Sequence, residues 1–148
     1  MGSASLRMSR NTGQSVSEEN VEIVRRYIDE FNRGRDWAGA SAGFMADDIE
    51  IDWSRSPAPY RGVYRGREEA LRFAEELQVW EEVRIEPNDF IAAGDDVLVP
   101  HVVHLRGRDG LEVKVRATYV YTVRDGLCVR WRIYQEHADA LEAAGLSE

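Results

Sequence analysis

Cysteine occurs once, at Cys128, so the chain can close no internal disulfide and can build no cysteine-clustered zinc site. No apolar run approaches the roughly 18 residues that a membrane-spanning helix needs. Positive charge is also short: 19 Lys and Arg face 27 Asp and Glu, for a net charge of -8. That sign opposes binding to phosphate backbones, so no nucleic-acid partner is expected. Lysine itself is nearly absent, Lys114 being the only one. The arginines that replace it fork well onto carboxylates and phosphates, although a codon preference gives the same bias without function. What remains, 148 residues with 43% hydrophobic and 31% charged, suits one folded domain and neither a disordered nor a membrane chain.

Residues 1–17 carry five serines with Gly2, Asn11, Thr12 and Gly13 and no signal-like apolar stretch, so they are expected to be a disordered tail ahead of a single domain over 18–148. A lone thiol and no export signal point to the cytoplasm. Ser15-Val16-Ser17-Glu18 has capping-box spacing, and Val21, Val24, Ile28 and Phe31 recur at helical period as far as Gly34. A shorter helix is expected from Asp36 to about Met45. Ile49, Ile51 and Trp53 alternate with Glu50 and Asp52 as a strand, and the Pro- and Gly-bearing stretch 54–66 reads as a loop. Ala70, Phe73, Ala74 and Leu77 mark a third helix over Arg67 to Trp80. Four strands follow, over 83–92, 97–107, 111–124 and 127–136, with Asp109-Gly110 and Asp125-Gly126 as hairpin turns, and Ala138 to Ala144 closes as a short helix. Helices first and a meander afterwards is an α+β arrangement.

Alternation along each strand sorts its side chains into two rows. His101 shares the wholly apolar row of Val97, Val99, Val103 and Leu105, and the last strand offers Val129, Trp131, Ile133 and Gln135. In the strand from Leu111, Arg116, Thr118 and Val120 oppose Val115, Ala117, Tyr119 and Tyr121, so both faces are expected to be covered. Helices on one face and a second copy of the chain on the other would do this, which predicts a homodimer; half-exposed tyrosines are the alternative.

The segments 19–27, 31–34, 46–50 and 64–68, with the final Asp125-Gly126 hairpin, resemble the SnoaL-like branch of the nuclear transport factor two-like superfamily over residues 18 to 146. The resemblance implies a cystatin-like cone: a curved, mixed antiparallel sheet wrapped with three N-terminal helices. It also implies a pocket for a small molecule, but not one activity, since isomerases, cyclases, dehydratases and inert binding domains share the fold. Against the ketosteroid isomerase pattern it places Tyr27 as the hydrogen-bonding tyrosine, Asp52 as the general base, and Thr118 where a protonated acid belongs. The Arg-x-Asp pair of limonene-epoxide-hydrolase-like enzymes is missing. Where polyketide cyclases carry an aspartate late in the sheet, this chain has Gln135, then Glu136 and His137.

The candidate catalytic set is therefore Asp52, His101 and Tyr27. Directed into an apolar cone, Asp52 would have its carboxyl raised toward the range of a useful base, whereas at the mouth it would stay solvated or pair with arginine. His101 exchanges protons near neutrality or serves as a core residue, and Tyr27 donates to a ligand carbonyl or anchors the first helix. Trp53, Phe73, Trp80, Phe90 and Trp131 are candidate pocket walls or ordinary core, with Thr118 and Gln135 as polar contacts. Arg116 needs Asp52, an acidic ligand or the rim as its partner. The three histidines lack ligand spacing, so neither metal nor cofactor is expected. The function expected is a cofactor-free acid/base enzyme for a small apolar or aromatic substrate, of isomerase, cyclase or dehydratase type. The alternatives are a non-catalytic binding protein or a structural dimer module.

Overall fold

The computed structural model describes residues 12–34, 37–56 and 62–146. Most of the expected tail, the expected N-cap Asp36, residues 57–61 of the expected loop and the last two residues lie outside the described residues. Helix α1 spans Thr12–Arg33 and α2 spans Trp37–Ala42. Strand β1 is Met45–Asp52 and β2 is Val63–Arg65. Helix α3, Gly66–Glu76, tightens into a single 3-10 turn over Leu77–Val79. Then come β3 (Glu82–Pro87), β4 (Ile91–Ala93), β5 (Asp96–Arg106), β6 (Glu112–Arg124) and β7 (Leu127–Tyr134), and α4 (His137–Ala143) is the last described element.

The strands form one curved, unclosed sheet in the order β2-β1-β7-β6-β5-β3, with β4 also on β5. Among the described residues only β1 and β7 run parallel, so the sheet is mixed. Helix α1 lays its apolar stripe, Val24, Tyr27, Ile28 and Phe31, into the hollow of the sheet, where each is buried. Two asparagines fix its position. Asn20 donates to the Val123 carbonyl at 3.2 Å, and Asn32 both donates to the Ile85 carbonyl at 2.7 Å and accepts from the Ile85 amide at 2.8 Å. Helix α3 buries Ala70, Phe73 and Ala74, and the Arg65 amide at its start donates to Glu69.

Several boundaries differ from the sequence expectation for local reasons. Helix α1 begins at Thr12, so Ser15 and Ser17 are inside it and not its cap. The strand expected over 83–92 is two strands: Pro87 has no amide to donate, and the Asn88 amide turns to the Pro100 carbonyl. At Asp125-Gly126 both residues have positive φ, 52° and 81°, as a type I′ turn requires. At Asp109-Gly110 only the glycine does, and that connection closes as a longer loop through Gly107 and Leu111.

The register of β6 on β5 settles which row points inward. Tyr119 pairs with Val99 and Ala117 with His101, and cross-strand partners share a face. Val115, Ala117, Tyr119 and Tyr121 therefore face the helices, while Arg116, Thr118 and Val120 face out. The tyrosines are covered by their own chain, so the argument that a second copy must cover them does not hold. On the outer face α4 supplies the cover instead, packing Ala140 over Leu98 and Val120.

Candidate active site in the sheet hollow

A cavity of about 50 Å³ lies in the hollow between the inner face of the sheet and the helices. At roughly 10–15 Å³ per water it has room for about three to five. Aliphatic side chains such as Val83, Ile85, Val103 and Ile133 line most of it, and Trp53, Ser56, His101, Tyr119 and Trp131 are its residues with polar side-chain atoms. Among the described residues that line it there is no Asp, Glu, Lys or Arg.

His101 is 1% exposed. Its Nδ1 lies 2.9 Å from the Val99 carbonyl, which can only accept, so Nδ1 carries the proton and Nε2 keeps a free lone pair. Nε2 is buried and has no hydrogen-bond partner. Burial pushes the imidazole down to about 4, slightly opposed by the bond to Val99, and the ring is neutral at neutral pH. The ring stacks on Tyr119 with centroids 3.8 Å apart. The indole Nε1 atoms of Trp53 and Trp131 are likewise buried without partners.

The other expected site residues lie elsewhere. Asp52 alternates with the inward Ile51 and Trp53 and so faces outward, half-buried, beside its register partner Arg132. Its carboxylate accepts from the Ser54 amide at 3.1 Å and the Ser54 hydroxyl at 2.6 Å. Partial burial alone would lift its carboxyl, but these two bonds and the nearby Arg130 and Arg132 outweigh it and hold the carboxyl below its ordinary value. The expected raised base in an apolar cone is therefore corrected. Tyr27 is buried but not in the cavity wall: its hydroxyl pairs with Ser41 Oγ at 3.3 Å and its ring stacks on Phe44, joining α1 to α2.

Phe73 stands behind the wall, edge-on to Trp53 at 4.8 Å. Trp80 and Phe90 are half-buried away from the cavity, Phe90 beneath the Arg25 guanidinium at 4.4 Å. Arg116 is exposed on the outer face, and Gln135 is exposed just past the end of β7. Thr118 is buried on the outer face, paired with His137 Nδ1 at 3.0 Å. Of the expected residues the structure thus brings together Trp53, His101 and Trp131. Tyr119 and Phe31 line the same cavity and were not singled out from the sequence, although the inward row of β6 and the α1 stripe contained them. Among the described residues, no three His, Cys, Asp or Glu are grouped so as to hold a metal ion, and no helix is long and apolar enough to cross a membrane.

The same architecture recurs in solved structures. An NTF2-like protein of unknown function from Burkholderia pseudomallei K96243 is 20% identical, with a TM-score of 0.69 over 84% of this chain and 95% of that one. TerC co-crystallized with polyporic acid is 23% identical, with a TM-score of 0.67 over 86% and 98%. A protein with a ketosteroid isomerase-like fold from Catenulispora acidiphila DSM 44928, in complex with trimethylamine, is 17% identical, with a TM-score of 0.66 over 84% and 93%. At such identities the likeness establishes the fold and no activity. No curated protein matches the chain in sequence. The SnoaL-like domain model matches residues 24–131, from the first buried valine of α1 to Trp131 in the cavity wall, and the chain belongs to that family.

Proposed function

We propose that the protein is a cofactor-free acid/base enzyme that accepts a small, largely apolar substrate in the sheet hollow, with neutral His101 as the proton acceptor. The observation that carries this reading is the buried, unpartnered His101 Nε2 lone pair, on a ring that lines the cavity among described residues of which none is charged. Isomerase, cyclase and dehydratase chemistry beside a carbonyl share one opening step. A base takes a proton from carbon, and the bonding pair moves toward the carbonyl oxygen. A base that is neutral at working pH can do this without a metal or organic cofactor. Asp52 has no part in the step, because it lies on the other face of the sheet.

The test is a panel of small aromatic ketones and lactones. Binding is followed by tryptophan fluorescence, since Trp53 and Trp131 line the cavity, and conversion by chromatography. Conversion by the native chain that is lost in His101→Asn, with binding kept, supports the reading. Equal conversion by His101→Asn removes His101 from the chemistry.

A second reading, a structural module whose cone is filled with side chains, is favoured by size and is selected if nothing on the panel binds. Ligand pockets usually enclose roughly 300–1,000 Å³, well above this cavity's about 50 Å³. Binding without turnover draws instead on similar folds that hold polyporic acid and trimethylamine. Bound ligand with no conversion across the panel selects it.

The homodimer remains a proposal on a different footing from the tyrosines. Beyond α4 the outer face alternates in sign, with Glu50 between Arg65 and Arg130 at 3.5 and 3.3 Å, and Asp96 beside Arg132 at 3.3 Å. Such a pattern can meet its own twofold copy. Sedimentation showing a monomer at low and high salt would end this proposal.

A further inference from the structure

A groove of about 820 Å³ crosses the outer face of the sheet, away from the hollow. Asp48, Glu50, Asp95 and Asp96 line it against three arginines, an acidic excess of one among the described lining residues. Glu50, Arg130, Thr122 and Asp96 register in a single row across β1, β7, β6 and β5. At about 4.8 Å between strands, the carboxylate-bearing ends of that row stand roughly 14 Å apart. Arg132 also lines the groove, although its side chain is only 10% exposed. Its Nη2 meets Asp96 at 3.3 Å, longer than the roughly 2.7–2.9 Å of a strong charge-assisted bond, and its Nε has no partner. A guanidinium has five donors, and burying one is costly unless acceptors meet them. The groove is thus short of cations at its carboxylates and of acceptors at Arg132.

We propose that this groove is a docking surface for the chain's own first eleven residues, Met1 to Asn11, held there by Arg7 and Arg10. An extended peptide supplies both missing parts, basic side chains for the carboxylates and a carbonyl at every residue for Arg132. The segment carries Arg7 and Arg10 and no acidic residue. Taking those two from the chain's 19 Lys and Arg leaves 17 against 27 Asp and Glu, so residues 12–148 carry a net charge of -10 that attracts it. The segment also starts beside the groove. Ser17 Oγ donates to the Gly94 carbonyl at 3.4 Å, and Asp95 and Asp96 follow directly. Helix α1 begins at Thr12, five residues before Ser17, or about 7–8 Å along its axis. Eleven extended residues span up to about 36–40 Å, enough to return over that distance and cross all four strands. In this path Arg10 falls on the Asp95 and Asp96 side and Arg7 on the Asp48 and Glu50 side. A second copy of the chain could pack on the same face only by displacing the segment. The docking is independent of any chemistry in the hollow, which lies on the other face of the sheet.

The experiment uses the whole ¹⁵N-labelled chain with a nitroxide on the thiol of Ser5→Cys; Cys128 is buried, so the label goes to position 5. The spin label is expected to quench the amide signals of Asp48 to Glu50, Thr122 to Arg124 and Val129 to Arg132, and to spare the hairpin between Gly107 and Leu111. Adding R7E and R10E to the labelled chain is expected to restore those signals, as is high salt, which screens exposed charges. Both charge reversals lie outside the folded elements, so they leave the fold in place for the comparison. Quenching around Ile23, Tyr27 and Phe44 instead would put the segment in the groove between α1 and α2 and overturn the proposal. So would quenching that follows no groove, or that survives the charge reversals unchanged. A mixture of nitroxide-bearing unlabelled chain and ¹⁵N-labelled native chain should show no quenching. Equal quenching in the mixture means that the segment docks on another copy, and it overturns docking within one chain.

Discussion

Asp52 and His101 stand on opposite faces of the same sheet. Asp52 shares its outward row with Glu50 and registers with Arg132, whereas His101 shares the inward row with Val97 and Val99. No proton can pass directly between them, so any chemistry in the hollow proceeds without this carboxylate.

Asp52→Asn is accordingly expected to leave ligand binding and turnover within about twofold of the native chain. Its cost falls on stability, through the Ser54 bonds and the nearby Arg130 and Arg132, and is expected at about 1 kcal/mol or less at this half-exposed position. Urea denaturation and binding titrations on the same preparation check both halves, and loss of binding would contradict the outward placement.

Acid should unfold this protein through His101. The imidazole titrates near 6.5 when unfolded and near 4 when folded, so between those values the unfolded chain holds more protons and stability rises with pH. The contribution is complete above about 6.5 and is lost as pH falls to about 4. At 1.36 kcal/mol per unit the difference amounts to roughly 3 kcal/mol. Denaturant midpoints measured from pH 7 to pH 4 should drop steeply in the native chain and less so in His101→Phe. Parallel curves would show that another group carries the acid sensitivity.

Asn32→Ala should cost about 1–3 kcal/mol, because it strips both the amide and the carbonyl of Ile85 of their partner. The loss should appear as a lower thermal midpoint and as faster hydrogen exchange at the Ile85 amide. Exchange unchanged at Ile85 would mean that water replaces the side chain without penalty.

At the β6–β7 turn, Gly126 has φ of 81°, where a Cβ meets no neighbour but strains the backbone. Gly126→Ala should therefore destabilise by about 1–2 kcal/mol with no effect on the cavity, as read by denaturation and by probe binding.

Much of this fold is legible in the residues. The α1 stripe, the His101 row and the Asp125-Gly126 turn follow from spacing alone, because each has one strong pattern and no competitor. The rows of β6 are not legible: Arg116, Thr118 and Val120 and the opposing Val115, Ala117, Tyr119 and Tyr121 both mix bulk with polarity. Only the register against Val99 and His101 decides between them. Asp52 is a different case. The same alternation that turns Ile51 and Trp53 inward turns Asp52 outward, so the pleat opposed the position that family resemblance implied for it. Tyr27 misleads for another reason, since helical spacing shows that it is buried but not that Ser41 and Phe44 claim its hydroxyl and ring.

The clasp between Asn32 and Ile85 has a consequence beyond the docking of α1. Strand β3 borders the sheet, and such a margin normally bares backbone groups that a foreign strand can zip onto. By occupying both groups of Ile85, one amide side chain denies an incoming chain its foothold at the middle of that margin. Pro87 withholds a donor at the far end. The first helix thus does for β3 what a neighbouring strand would do, and guards a sheet that never closes against fibril-like growth.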